Sequence, residues 1–156
     1  MSQGVNMIER VGLFRELGEG EKKKLGDFLH IREVKTGEIV YSEGDPGGNL
    51  NFVIKGKVNV CKITIDGEQY CMASLTEGEM FGIMSFLDGS PHEATIIADM
   101  ETQIMIMKKG DFDALLLEDP FLAAKVLKNL AIHLARIVRN MNSQYMDLMQ
   151  YMFKRG

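Results

Sequence analysis

Between Ile31 and Lys109 the sequence breaks into short alternating runs divided by turn residues, and this pattern most constrains the fold. The runs read "IREVK", "EIVYSEGD", "NFVIKGKVNVCKITIDGEQYCMASL", "ATIIADM" and "TQIMIMKK". Turn signals fall at Thr36-Gly37, Gly44-Asp45-Pro46-Gly47-Gly48, Gly56, Asp66-Gly67 and Glu77-Gly78. Many short strands at regular spacing predict a β-sandwich or barrel. Asp66-Gly67 is the strongest hairpin mark, since both central residues of a type I′ turn need positive φ.

Helical spacing flanks this region. Ile8, Val11, Leu13, Phe14 and Leu17 predict a helix over Met7–Leu17, and Leu25, Phe28 and Leu29 predict a second over Glu21–His30. After Lys109, "GDFDALLLEDP" predicts a short helix, with Pro120 either stopping it or opening the next. Nothing breaks a helix from Phe121 to about Met152. At 1.5 Å per residue that is roughly 45 Å, more than a domain of this size can cover. Its apolar stripe runs Leu127, Leu130, Leu134, Ile137, Met141 and Leu148, near the heptad period. A second copy of the same helix is the simplest partner, so a homodimer is expected, against the alternative that the stripe packs only on its own β-domain.

At 156 residues the chain fits one domain, with helices over 1–30, a β-roll over 31–109 and helices over 110–156. The net charge of −4 argues against a general nucleic-acid binder. There is no secretory signal and no apolar stretch near the ~20 residues of a membrane span, so the cytosol is the expected location. If the hairpin turns on Asp66-Gly67 alone, Cys61 lies opposite Met72 and Cys71 opposite Lys62. The two sulfurs then point to opposite faces, and both cysteines are expected to be reduced and structural. Met72, Met80, Met84, Met100, Met105 and Met107 are expected in the core, where a soft lining also suits an apolar ligand.

Three stretches, "LFRELGEGEKKKL", "GEIVYSEGDPGGNLNFVIKGKVNV" and "MFGIMSFLDGSPHEATI", give the chain a resemblance to the cyclic-nucleotide-binding domain family. The first looks like the family's entry helices and the second like its Gly-Asp-Pro turn and following strand. The third looks like its phosphate-binding cassette. The resemblance implies a mainly β fold with flanking helices: an eight-stranded double-stranded β-helix, or jelly roll, with N-terminal helices and a long C-terminal helix. It further implies a ligand pocket formed by Phe81, Gly82, Ile83, Met84, Ser85, His92, Glu93, Ala94 and Thr95. Ile137 and Val138 would face that pocket from the long helix.

Family cassettes carry a Glu that accepts from the ribose 2′-hydroxyl and an Arg that pairs with the cyclic phosphate. Ile83 and His92 stand at those positions. Arg is always charged and offers phosphate a planar fork. His, with an ordinary pKa of ~6.5, is about a quarter protonated at pH 7. Losing the cation costs about 2–5 kcal/mol and losing the ribose acceptor ~1.5–3 kcal/mol. A micromolar site thereby becomes millimolar or weaker. Glu93 would repel an anion if it pointed inward; it is expected to face water.

Three readings follow: a weak or altered cyclic-nucleotide site, a site for a different apolar ligand, or a ligand-free dimeric interaction module. No resident cofactor or metal is expected. The chain ends shortly after the long helix and leaves no room for a helix-turn-helix, so output is expected through a partner protein and not through DNA. An enzyme of the cupin type is disfavoured, because His30, His92 and His133 fall in three separate elements.

Overall fold

The structure is a computed structural model that describes residues 7–155. Residues 7–10 form a helical turn and Gly12–Phe14 a 3-10 turn, followed by α1 (Glu19–Gly26). The strands are β1 (Leu29–Val34), β2 (Ile39–Tyr41), β3 (Asn49–Lys55), β4 (Val58–Ile63), β5 (Gln69–Leu75) and β6 (Met80–Phe81), then β7 (Thr95–Ala98) and β8 (Thr102–Lys108). Helix α2 (Ile83–Asp88) separates β6 from β7, and α3 (Lys109–Glu118) and α4 (Pro120–Lys154) close the chain. All strand pairs are antiparallel, in two four-stranded sheets ordered β1-β8-β3-β6 and β2-β7-β4-β5. This is the expected eight-stranded jelly roll. No helix among the described residues is long and apolar enough to cross a membrane.

The first sheet is apolar on both faces because it separates two cores. Leu50, Phe52, Ile54, Met105 and Met107 join Phe14, Leu25, Leu122 and Val126 in the core beneath the helices. Val34, Val53, Phe81 and Ile104 meet Val58, Ile96 and Ala98 of the other sheet inside the roll. Phe14 meets Phe52 edge-on at 5.3 Å, and Phe86 meets Phe112 at the same distance. Of the methionines, Met80, Met105 and Met107 are buried, whereas Met72, Met84 and Met100 are exposed, which corrects the expectation that all six fill the core.

The N-terminal helices are shorter than predicted. The first dissolves into two turns, and α1 ends at Gly26. His30 lies in β1 opposite Ile106, because ladder pairing with β8 outweighs the local helical spacing. Pro120 opens α4, where the Asp119 carboxylate accepts from the Leu122 N–H at 3.1 Å. That bond, and Lys24 at 3.2 Å, hold the Asp119 carboxyl below its ordinary range.

The hairpin differs from expectation by one residue. The Gly67 N–H donates to the Thr64 carbonyl and the Thr64 N–H to the Glu68 carbonyl, leaving Ile65-Asp66-Gly67 as the loop. Gly67 alone takes positive φ, at 83°. Ile63 then pairs with Gln69, Lys62 with Tyr70 and Cys61 with Cys71. The cysteines form a disulfide with Cα atoms 3.9 Å apart, which corrects the expectation of free thiols. Past Cys61 the ladder shifts, and Val60 pairs with Ala73, leaving Met72 as a bulge.

Candidate functional site

The segment from Met80 to Thr95 contributes His92 to the wall of a hollow between the two sheets. Strand β6 lies against β3, with Phe81 opposite Asn51. Gly82 then turns the chain with φ of 80° and caps α2. A Cβ at this position would lie 2.7 Å from the Asn49 carbonyl and 3.0 Å from the Asn51 amide nitrogen, so only glycine fits. Gly47 is pressed against the other side of α2: a Cβ there would lie 2.2 Å from the Ser85 Cβ.

His92 follows the turn and is buried. Its N–H donates to the Asp45 carbonyl at 3.0 Å and its carbonyl accepts from Gly44 at 2.8 Å, which ties the cassette to the turn after β2. The imidazole Nδ1 lies 3.3 Å from the Ser85 hydroxyl, and the ring stacks on Tyr41 with centroids 3.5 Å apart. Burial lowers the His92 pKa, opposed in part by the Asp45 charge. Burial also raises the Tyr41 phenol well above its ordinary value.

The hollow measures about 370 Å³ and is lined by Arg32, Val40, Tyr41, Asp45, Pro46, Asn49, Asn51, His92 and Ile106. Arg32 sits in β1 opposite Ile104, on the side of the sheet that faces into the roll. Its Nη1 donates to the Val40 carbonyl and its Nη2 to Glu38, both at 3.2 Å. A guanidinium has five N–H donors, so several remain for a ligand. Asn51 is buried and donates to the Asn49 carbonyl at 3.2 Å.

Among the residues named from sequence, His92 lines the hollow and Gly82 abuts it. Phe81 packs into the roll interior, 5.9 Å from Tyr41. Ile83 is buried in the core beneath the helices, Met84 is exposed, and Ser85 is buried beside His92. Glu93 is exposed; Ala94 is half-buried; the Thr95 hydroxyl accepts from the Glu43 N–H at 3.0 Å. Ile137 and Val138 lie on the exposed part of α4 and are not among the walls of the hollow. Leu130 is buried and Leu127 and Leu134 are half-buried on their own domain, whereas Ile137, Met141 and Leu148 are exposed. His30 bonds Asp111 at 2.7 Å, and burial beside Arg136 lowers the His133 pKa.

Arg32, Tyr41, Asn49 and Asn51 were not anticipated as site residues. The alternation of "IREVK" carried the signal for Arg32, which shares a face with the core residue Val34.

Two packed antiparallel sheets, with a short helix in the connection from β6 to β7, define a jelly roll. The chain belongs to the cyclic nucleotide-binding domain family, whose model matches residues 31–119. It is similar to the cyclic AMP receptor protein of Thermus thermophilus, 30% identical over 139 residues that cover 89% of this chain and 62% of that one. It is also 32% identical to the cAMP-dependent protein kinase regulatory subunit of Mycosarcoma maydis, over 68% of this chain and 21% of that one. The chain thus spans less than two thirds of either curated relative. Among solved structures, a cyclic nucleotide-binding domain from Methylobacillus flagellatus superposes with a TM-score of 0.78 at 25% identity, covering 92% of this chain and 80% of that one.

Proposed function

We propose that this domain is a homodimeric small-ligand sensor in which the hollow takes a cyclic nucleotide weakly, with Arg32 in place of the cassette arginine. The observation that carries the proposal is the guanidinium of Arg32 in the wall of the hollow that His92 also lines, with unspent donors. The relatives named above are a cyclic AMP receptor and a kinase regulatory subunit, which favours the same ligand class. Three features weaken binding. Glu38 shares the charge of Arg32, Asp45 places a carboxylate in the wall, and His92 is held neutral. Tyr41 and His92 together give the wall an aromatic edge against which a base could pack.

The dimer rests on the second half of α4. Val138, Met141, Tyr145, Leu148 and Met152 follow at alternating steps of three and four and are all exposed. Such a seam fits a parallel copy of itself. Thermal melting with cyclic AMP, cyclic GMP and cyclic dinucleotides tests the ligand class. A rise in melting temperature that Arg32→Ala abolishes is expected. Absence of any shift at millimolar nucleotide removes the nucleotide reading and leaves an apolar ligand or an interaction module.

A further inference from the structure

The β4–β5 hairpin contains two registers that disagree by one residue. Near the roll, Val58, Asn59 and Val60 pair with Leu75, Ser74 and Ala73. Extended without a bulge, that register pairs Cys61 with Met72 and Lys62 with Cys71, and it ends in a tight turn on Asp66-Gly67. The tip follows the other register, with Cys61 against Cys71, Lys62 against Tyr70 and the longer Ile65-Asp66-Gly67 loop. The disulfide and the Met72 bulge occur where the two meet.

We propose that Cys61 and Cys71 form a reversible thiol–disulfide site, reduced by small or protein dithiols, that selects between these registers. The bond holds the tip one residue out of step with the base. Once it opens, the bulge anneals, because a continuous ladder and the Asp-Gly turn then agree along the whole hairpin. A one-residue slip of β5 turns its tip side chains, Gln69 to Cys71, to the other face, while those of β4 keep theirs. Tyr70, now paired with Lys62 on the face shared with Val60, exchanges places with Cys71.

Access and leaving-group chemistry suit the exchange. Cys71 is exposed and Cys61 is buried, so an incoming thiolate attacks the Cys71 sulfur. The S–S bond breaks and its electron pair leaves on the Cys61 sulfur, which then takes a proton. The second thiol of the reductant attacks the mixed disulfide, frees the Cys71 thiol and leaves the reductant as a disulfide. Two electrons and two protons pass from the dithiol to the protein. The Gln69 amide N–H points at both sulfurs, 3.3 Å from Cys71 and 3.9 Å from Cys61, and stabilises the departing thiolate.

The hairpin is also tied to the site. The Lys62 ammonium donates to the Glu43 carboxylate at 2.7 Å and to the Glu93 carbonyl, beside His92. A change of its cross-strand partner from Tyr70 to Cys71 occurs next to that tie.

The test uses the full chain, treated with oxidised glutathione and then with dithiothreitol. Alkylation and intact mass count the free thiols, and cross-strand nuclear Overhauser contacts read the register. The expected result is no free thiol and Lys62–Tyr70 contacts when oxidised. Reduction should give two free thiols and Lys62–Cys71 contacts, with the pairing of Val58–Val60 unchanged. Cys71→Ser, at an exposed position, should show the reduced register without reductant. Thiols that stay free after oxidised glutathione overturn the proposal. So does a reduced protein, or a folded Cys71→Ser variant, that keeps Lys62 against Tyr70. None of these readouts involves a nucleotide, so their failure is distinct from failure of the ligand reading.

Discussion

The imidazole of His92 lies flat on the phenol ring of Tyr41, with centroids 3.5 Å apart and planes within 8°. The pair forms part of the wall of the hollow. A neutral imidazole stacks there without the desolvation cost of a charge.

Stability should therefore depend on pH in a defined direction. Burial holds the His92 pKa below its ordinary 6.5, so between the folded value and 6.5 the unfolded chain binds more protons. Stability is fully present above pH 6.5 and declines as pH falls through that window. His133 shifts the same way and adds to the slope. His92→Gln should flatten the decline in part, as read by urea unfolding between pH 7.5 and 5. An unchanged slope would mean that His92 is solvated.

Ile83 sits in the helix-side core, so a carboxylate introduced there enters an apolar cluster that includes Phe52, Phe86 and Met107. Ile83→Glu should cost about 2–4 kcal/mol in denaturant unfolding. Full stability of the variant would show that position 83 opens into the hollow.

Gly47 packs closely against α2 at Ser85. Gly47→Ala brings a methyl against Ser85 and within 2.5 Å of the Ser90 carbonyl. A loss of about 1–3 kcal/mol is expected. Amide shifts in the NMR spectrum should concentrate between Ser85 and His92. Shifts confined to Gly47 and its chain neighbours would contradict the close approach.

Much of the fold was legible because turn chemistry and strand alternation agree with the tertiary structure. The turn at Gly44-Asp45-Pro46 and the glycines at 56, 78 and 82 all fall where strands or helices end. The site was less legible. The family resemblance implies a ligand-facing position for Ile83 but says nothing of the direction of its side chain, which packs into the core beneath the helices. Arg32 is distant in sequence from His92 and reaches the hollow from β1, an edge strand of the first sheet. The disulfide escaped because Asp66-Gly67 predicts one turn while the observed loop adds Ile65, and a single residue of register reverses which side chains meet.

Self-association should depend on the exposed end of α4. Val138→Glu with Met141→Glu places four carboxylates in the seam of a symmetric dimer. Sedimentation should show a dimer for the parent chain and a monomer for the variant, with the roll still folded. A monomeric parent chain would remove the dimer.

The central claim is that the hollow beneath Gly82 and His92 receives a cyclic nucleotide through Arg32. It is tested most directly by melting the protein against cyclic AMP up to 10 mM, for the parent chain and for Arg32→Ala. At ten times a millimolar dissociation constant, binding adds about 1.4 kcal/mol, which raises the melting temperature by about 3–6 °C at this chain length. The account predicts that rise for the parent and none for the variant. An equal rise in both, or none in either, would contradict it.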